Sequence, residues 1–195
     1  RLRDRLLAAL PERAARRAEA EAEAMLAAHG LAVRPGPAPV VAPHVTEAVA
    51  TAIRGPWILE FDYRGERRRV EPYGILLGAR RYLVARQPDK GAAMRQFRLD
   101  LMENPSVIRD WFARDPSFDL GSYAARAFGS FQNAAEYGEV IWIFSARAAD
   151  RAAEWRFHPE QVTRRLLDGR LEVRFHAAGW IEMAWHLYCW GDAVE

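Results

Sequence analysis

Cysteine is almost missing from this chain of 195 residues: the only one is Cys189, in "WHLYCWG". A lone thiol builds neither a disulfide framework nor a thiolate metal site, and it fits a reducing, cytoplasmic compartment. Its aromatic setting reads as a small hydrophobe buried in a core. Histidine is scarce too. His29, His44, His158, His176 and His186 include no i,i+4 pair and no neighbouring ligand cluster, so neither a metal nor another cofactor is assigned. No run of about 18 apolar residues occurs, which argues against a transmembrane helix. The opening "RLRDRLLAAL" lacks the apolar centre of a secretory signal, and it begins with Arg rather than Met, as a fragment would. There is no Gly-rich phosphate loop, no nucleophile elbow and no metal-ligand spacing, so the chain reads as non-enzymatic. Glu60 and Asp62 share one face of a strand, but alternate carboxylates on a solvent face are commonplace.

What the chain does have is apolar residues, 50% of the total, with 28% charged, enough to bury a core. The net charge of +2 hides an asymmetry. Between Arg64 and Arg98 the balance is +7, leaving −5 for the remainder. Such a segment can attract anions within a nearly neutral chain. Lys90 is the only lysine, so a general arginine bias explains the residue type but not its clustering.

The pattern changes along the chain. Leu2, Leu6, Leu7 and Leu10 have helical spacing, and a second helix is expected from Pro11 towards Gly30 with a thin, alanine-rich apolar face. "VRPGPAPVVAP" (residues 33–43) reads as a linker, and "HVTEAVATAIRG" as a short helix with Thr46 as cap and Gly55 as stop. From Trp57 the period becomes two. Strands are expected at "WILEFDY", Arg68–Glu71, Tyr73–Leu77, Arg81–Arg86 and Met94–Leu99, and five short strands with hairpin links suggest a small barrel. In the last of these, Arg95, Phe97 and Leu99 share a face, which places Arg95 near the core, where an unpaired charge is costly. The segment after the barrel carries the chain to a second unit. This is strand "EVIWIFS", helix "ARAADRAAEW", a hairpin at Asp168-Gly169, a helix through Trp180, Trp185 and Cys189, and a last strand at "DAVE". The order βαββαβ is that of a ferredoxin-like sandwich.

The residues that stand out for binding are Tyr63, Arg69, Tyr82, Arg95 and Arg98. Arginine offers a planar donor fork to phosphate or carboxylate, and aromatic rings stack bases. An alternative stands beside this: the tyrosines are core with hydroxyls at the rim, and the arginines pair with Glu71, Asp89 and Asp100.

The run "FDYRGERRRVEPYGILLGARRYLVARQPDKGAAMRQFRLDLM" resembles the WYL domain of bacterial transcriptional regulators. The likeness rests on Tyr63, on Arg69-Val70-Glu71-Pro72, on Tyr82-Leu83-Val84 and on Arg95 to Asp100, and covers roughly residues 45–110. The tail, "LLDGRLEVRF … HLYCWGDAVE", resembles the C-terminal extension that follows such domains. Two positions depart from the pattern: Arg81 stands where the name-giving Trp would be, and Leu101 where a further Arg is common. The resemblance implies an α+β chain with four parts. They are connector helices and a Pro-rich linker (1–44), a five-stranded Sm-like (SH3-type) β-barrel (45–116), a linker (117–137) and a ferredoxin-like extension (138–195). It further implies a sensor for an anionic effector, a nucleotide or short single-stranded nucleic acid, bound by Tyr63, Arg69, Tyr82, Arg95 and Arg98. Its partners would be a second copy, in a homodimer formed through the C-terminal unit and leading helices, and DNA, through a helix-turn-helix absent from this chain. The alternative is a structural dimerisation module whose basic face supplements DNA binding.

Overall fold

The computed structural model describes residues 11–28, 36–130 and 132–195. The expected helix over residues 1–10 and the stop at Gly30 lie outside them. The chain divides into two compact units, one containing the N-terminal helix and the other spanning residues 37–195. In the first, α1 (Glu12–Ala28) is an exposed, alanine-rich helix carrying the i,i+4 ion pairs Glu12–Arg16 (3.1 Å) and Arg17–Glu21 (2.7 Å).

The second unit opens with α2 (Pro43–Arg54), whose buried stripe is Val45, Val49 and Ala52. Pro43 occupies the first turn, where its missing N–H costs nothing, so the helix starts before Thr46 and that residue is not its cap. Gly55 ends the helix as expected, its N–H bonding to Thr51 O (3.1 Å). A Cβ at Gly55 would fall 1.8 Å from Trp57 Nε1, so the tight exit into the sheet requires glycine.

Five antiparallel strands follow: β1 (Trp57–Tyr63), β2 (Glu66–Leu77), β3 (Arg81–Arg86), β4 (Met94–Arg98) and β5 (Met102–Trp111), in the order β4-β3-β2-β1-β5. Arg64 and Gly65 both have positive φ (53° and 80°), as a two-residue hairpin turn matching strand twist needs. Two expectations are corrected. The stretch read as two strands is the single strand β2, whose pairing to β3 shifts register between Pro72 and Gly74, where proline offers no N–H to the ladder. The strand β5, read as part of a crossing segment, instead pairs with β1. Its Asn104-Pro105 pair looks like a breaker, yet proline is tolerated on an edge strand. The strands β4 and β5 pair only inward, to β3 and β1, so strand pairing does not close the sheet.

One face of the sheet packs on α2 through Leu59, Phe61, Val70, Leu83, Ala85, Phe97 and Leu99. A smaller cluster of Ile58, Tyr73 and Phe112 also holds Met94 and Phe118.

The remaining elements are α3 (Leu120–Ala125), β6 (Gly138–Phe144), α4 (Ala149–Ala153), β7 (Val162–Arg165), β8 (Leu171–Ala177) and α5 (Trp180–Tyr188), with sheet order β6-β8-β7. Gly169 sits at φ +83° in the turn expected at Asp168-Gly169. The chain end returns to β6 as a single antiparallel bridge, Phe144 to Val194, rather than a full strand. Trp142, Phe144, Phe157, Phe175, Met183 and Trp190 fill this core. Helix α5 is apolar nearly all round. It turns Met183, Leu187 and Trp190 inward, which leaves Cys189 exposed rather than buried as its composition suggested.

A candidate anion cleft along the edge strand

The cleft begins with Tyr73, buried in β2. Its hydroxyl accepts the Asp115 N–H (3.1 Å), its carbonyl accepts from Arg114 Nη2 (2.5 Å), and its ring meets Phe118 edge-on at 4.9 Å. These contacts pin the chain leaving β5 across the sheet. Gly74 then admits α3 onto β2, since a Cβ there would lie 2.6 Å from Leu120 Cδ2. Asp119 caps α3 by accepting the Ser122 N–H (2.6 Å), and Gln132 Nε2 donates to Tyr123 O (2.7 Å). Tyr123 is thereby fixed opposite the free edge of β4.

Between them lies a cleft of about 520 Å³ lined by Tyr63, Arg64, Tyr82, Met94, Arg95, Gln96, Arg98, Tyr123 and Gln132. Tyr63 packs its ring against Phe61 (6.1 Å) and Phe97 (5.4 Å), and its hydroxyl accepts the Arg98 N–H (3.2 Å). Its body is therefore core and its polar tip is cleft wall. Tyr82 stands opposite Arg98 in the β3–β4 ladder. Arg98 itself is held by Asp100, with Nη2–Oδ2 at 2.6 Å and Nε–Oδ1 at 3.2 Å, and Arg80 adds a third contact to that carboxylate at 3.3 Å. This bonding, Arg98 first, holds the Asp100 carboxyl below its ordinary value.

Arg95 is exposed, not near the core. Because β4 is an edge strand, the face that carries Phe97 runs out into solvent at Arg95. Among the described residues, Arg95 and Arg64 have no carboxylate partner, and no acidic side chain lines this cleft. Arg64 lies over the Tyr63 ring at 5.7 Å. The Gln96 amide nitrogen is buried without a hydrogen bond of standard geometry, although it sits near enough to the Tyr123 hydroxyl to favour its ionised form. Burial of Tyr123 outweighs this and raises its pKa. Free guanidiniums and three tyrosines suit an anionic, ring-bearing ligand.

Of the five residues singled out from sequence, Tyr63, Tyr82, Arg95 and Arg98 line this cleft and Arg69 does not. Arg69 points to a different region, bonding Glu60 (2.7 Å) and Asp110 (2.8 Å), beside Arg67 with Asp62 (3.2 Å). That lattice also occupies the Glu60 and Asp62 carboxylates. Glu71 takes Arg86 (2.5 Å). Arg81 is exposed at the start of β3, and Leu101 lies in the short turn after β4. Arg64, Gln96, Tyr123 and Gln132 were not singled out from sequence. Arg64 could have been, from its place in the turn beside Tyr63, but Tyr123 and Gln132 arrive from a stretch read as linker.

The WYL domain family matches residues 44–107. No curated protein matches the chain. Among solved structures, the chain is similar to proteasome accessory factor B/C (PafBC) of Arthrobacter aurescens, at 21% identity and a TM-score of 0.42, covering 88% of this chain. It spans 27% of the length of that protein. The family match runs from α2 into β5, so residues 44–107 of this chain carry the WYL domain.

Proposed function

We propose that this chain is the effector-sensing region of a bacterial transcriptional regulator. On this reading the β4-edge cleft binds an anionic ligand, a nucleotide or a short single strand of nucleic acid. DNA is engaged by a helix-turn-helix outside these residues, in the cytoplasm. The observation that carries the reading is the pair of guanidiniums, Arg64 and Arg95, that among the described residues have no carboxylate partner and sit in a cleft with no acidic lining. Arg98 contributes through its backbone and its Asp100-held fork, and Arg69 is left out. The bent strand β2, shared by both halves of the sheet, supports the Sm-like reading. The spatial order of chain end, β6, β8, β7 supports the ferredoxin-like one. The test is fluorescence anisotropy with a fluorescein-labelled single-stranded oligonucleotide at two salt concentrations. Binding that weakens with salt is expected, because phosphate contacts release counterions. Absence of binding at either concentration would reject the reading.

A second reading, a dimerisation module, is favoured by the outer face of α5. Trp180, Ile181, Trp185 and Tyr188 are 62%, 67%, 73% and 88% exposed there, an unusual apolar stripe for a free surface. Trp190, which the sequence places with Trp180 and Trp185 on one short helix as exposed apolar surface for a dimer, is instead buried among Phe144 and Phe157. The two readings are compatible if a homodimer carries the cleft. A monomeric mass by light scattering at tens of micromolar would reject dimerisation while leaving the cleft untouched.

A further inference from the structure

The outward side of α5 carries Trp180, Ile181, Ala184, Trp185 and Tyr188, a stripe without a charge. At its N-terminal end lies a mostly apolar pocket of about 250 Å³, lined by Glu136, Gly179, Ile181, Glu182 and Trp185. It shares no residue with the cleft at the β4 edge. Its two carboxylates come from different elements. Glu136 ends the short turn Ala134–Glu136 and accepts the N–H groups of Gly179 and Trp180 (3.2 Å each) and the Asn133 amide (2.8 Å). Those bonds, Asn133 first, hold its carboxyl below its ordinary value, so it is ionised at neutral pH. All three donors are neutral. The Glu182 carboxylate lies over Gly129, where a Cβ would fall 2.5 Å from its Oε1, and it accepts the Ser130 N–H at 3.1 Å. Among the described residues, no basic side chain lines this pocket.

The pocket is smaller than the roughly 300–1,000 Å³ of a small-molecule site, so it suits one side chain of a larger partner. A second copy presenting the same uncharged stripe fits it poorly. Covering the Glu136 carboxylate with uncharged groups strips its water and leaves its charge unanswered. The occupant must bring a cation. Going beyond both readings above, we infer that this end of α5 docks a peptide segment of another protein, which inserts a basic side chain flanked by apolar residues. The alkyl stem of that side chain lies on Ile181, and its charge faces the Trp185 ring and the Glu136 carboxylate. The apolar residues beside it cover the exposed tryptophans. Apolar area then supplies affinity, and the carboxylate supplies register and specificity.

The experiment is fluorescence anisotropy of the full chain with two fluorescein-labelled peptide amides. One is Ser-Leu-Leu-Arg-Leu-Leu-Ser, and the other has glutamine in place of the arginine. The arginine peptide should bind the wild type about five- to ten-fold tighter, the difference between a charge-assisted and a neutral hydrogen bond. Glu136→Gln should erase that preference, since the amide oxygen still accepts a backbone N–H of α5 but carries no charge. Trp185→Ala should weaken both peptides, the arginine one by about ten-fold. Trp185 is exposed, so this variant should fold. Equal affinity for the two peptides, a preference that survives Glu136→Gln, or no binding of either peptide would overturn the inference. Light scattering on the same samples identifies the rival occupant. A dimer broken by Trp185→Ala, with neither peptide bound, would overturn the inference and give the face to a second copy. Oligonucleotide binding should be unchanged in both variants, so this surface and the cleft fail separately.

Discussion

Two sets of arginines on one sheet meet opposite fates. On the β1–β2–β5 face, Arg67 and Arg69 are matched by Glu60, Asp62 and Asp110. At the β4 edge, Arg64 and Arg95 have no carboxylate partner among the described residues, and Arg98 is held by Asp100 in the short turn that follows the strand. The basic segment is therefore not a uniform basic surface. Its charge is cancelled where the neighbouring strands present carboxylates and uncancelled where the sheet ends. Cross-strand pairing stabilises the first region a little; the second is left with charge that only a ligand or counter-ions can answer.

The comparison breaks most completely if the edge itself collapses. Phe97 is buried under Phe61 (5.3 Å) and Tyr63 (5.4 Å), so Phe97→Ala should cost about 3–5 kcal/mol by urea unfolding. Oligonucleotide binding should be lost with it, because Tyr63 loses its support. A loss under about 1 kcal/mol would show that the cleft wall does not depend on this packing.

Reversing charge at the edge should come next. Arg95→Glu is expected to weaken oligonucleotide binding by about a hundred-fold in anisotropy titrations, since it removes a charged contact and adds a repulsive one. Its unfolding midpoint should not fall, because no carboxylate depends on Arg95.

Acid separates the two regions by their carboxylates. Asp100 is held low chiefly by Arg98, and Asp62 chiefly by Asn104 and then Arg67. Both have lower pKa values folded than unfolded, so the unfolded chain binds more protons in acid. Their stabilisation is complete above the ordinary aspartate value of 3.8 and is lost as pH falls through the folded values. The urea midpoint should be flat from about pH 7 to 5 and drop below about pH 4. Asp100→Asn should shallow that drop, and it should also free the Arg98 fork and tighten oligonucleotide binding at neutral pH. Weaker binding in this variant would mean that Asp100 orients Arg98 for the ligand.

The smallest effect belongs to the matched region. Arg69→Ala breaks two exposed ion pairs and should cost only about 0–1 kcal/mol. A larger loss would show the lattice to be a network rather than separate pairs.

Much of this contrast was hidden in the sequence for definable reasons. Period-two alternation exposed β1, and the turns at Gly65 and Gly169 were legible because a positive φ favours glycine at those positions. The strand β5 was not legible: Asn104-Pro105 imitates a loop, and only its edge position makes the proline harmless. Missing β5 meant missing Asp110, 41 residues from Arg69, and so Arg69 looked free when it is not. Alternation also put Arg95 with Phe97, but alternation cannot say where a core ends. The outward face of α5 was ambiguous because the helix is apolar on both sides, so Trp190 and Cys189 were assigned to the wrong faces. The second wall of the cleft, Tyr123 and Gln132, is set by tertiary packing on Tyr73 and Gly74, which no local pattern encodes.

The most direct measurement compares the two regions in one assay: anisotropy titration of a labelled single strand against Arg95→Ala and Arg69→Ala in parallel, at low and moderate salt. Arg95→Ala should lose about ten-fold or more in affinity, the scale of one charge-assisted contact, and should bind with a shallower salt dependence. Arg69→Ala should match the wild type in both respects. Equal losses in the two variants would contradict the distinction between matched and unmatched arginines, and would make the whole basic segment one diffuse surface.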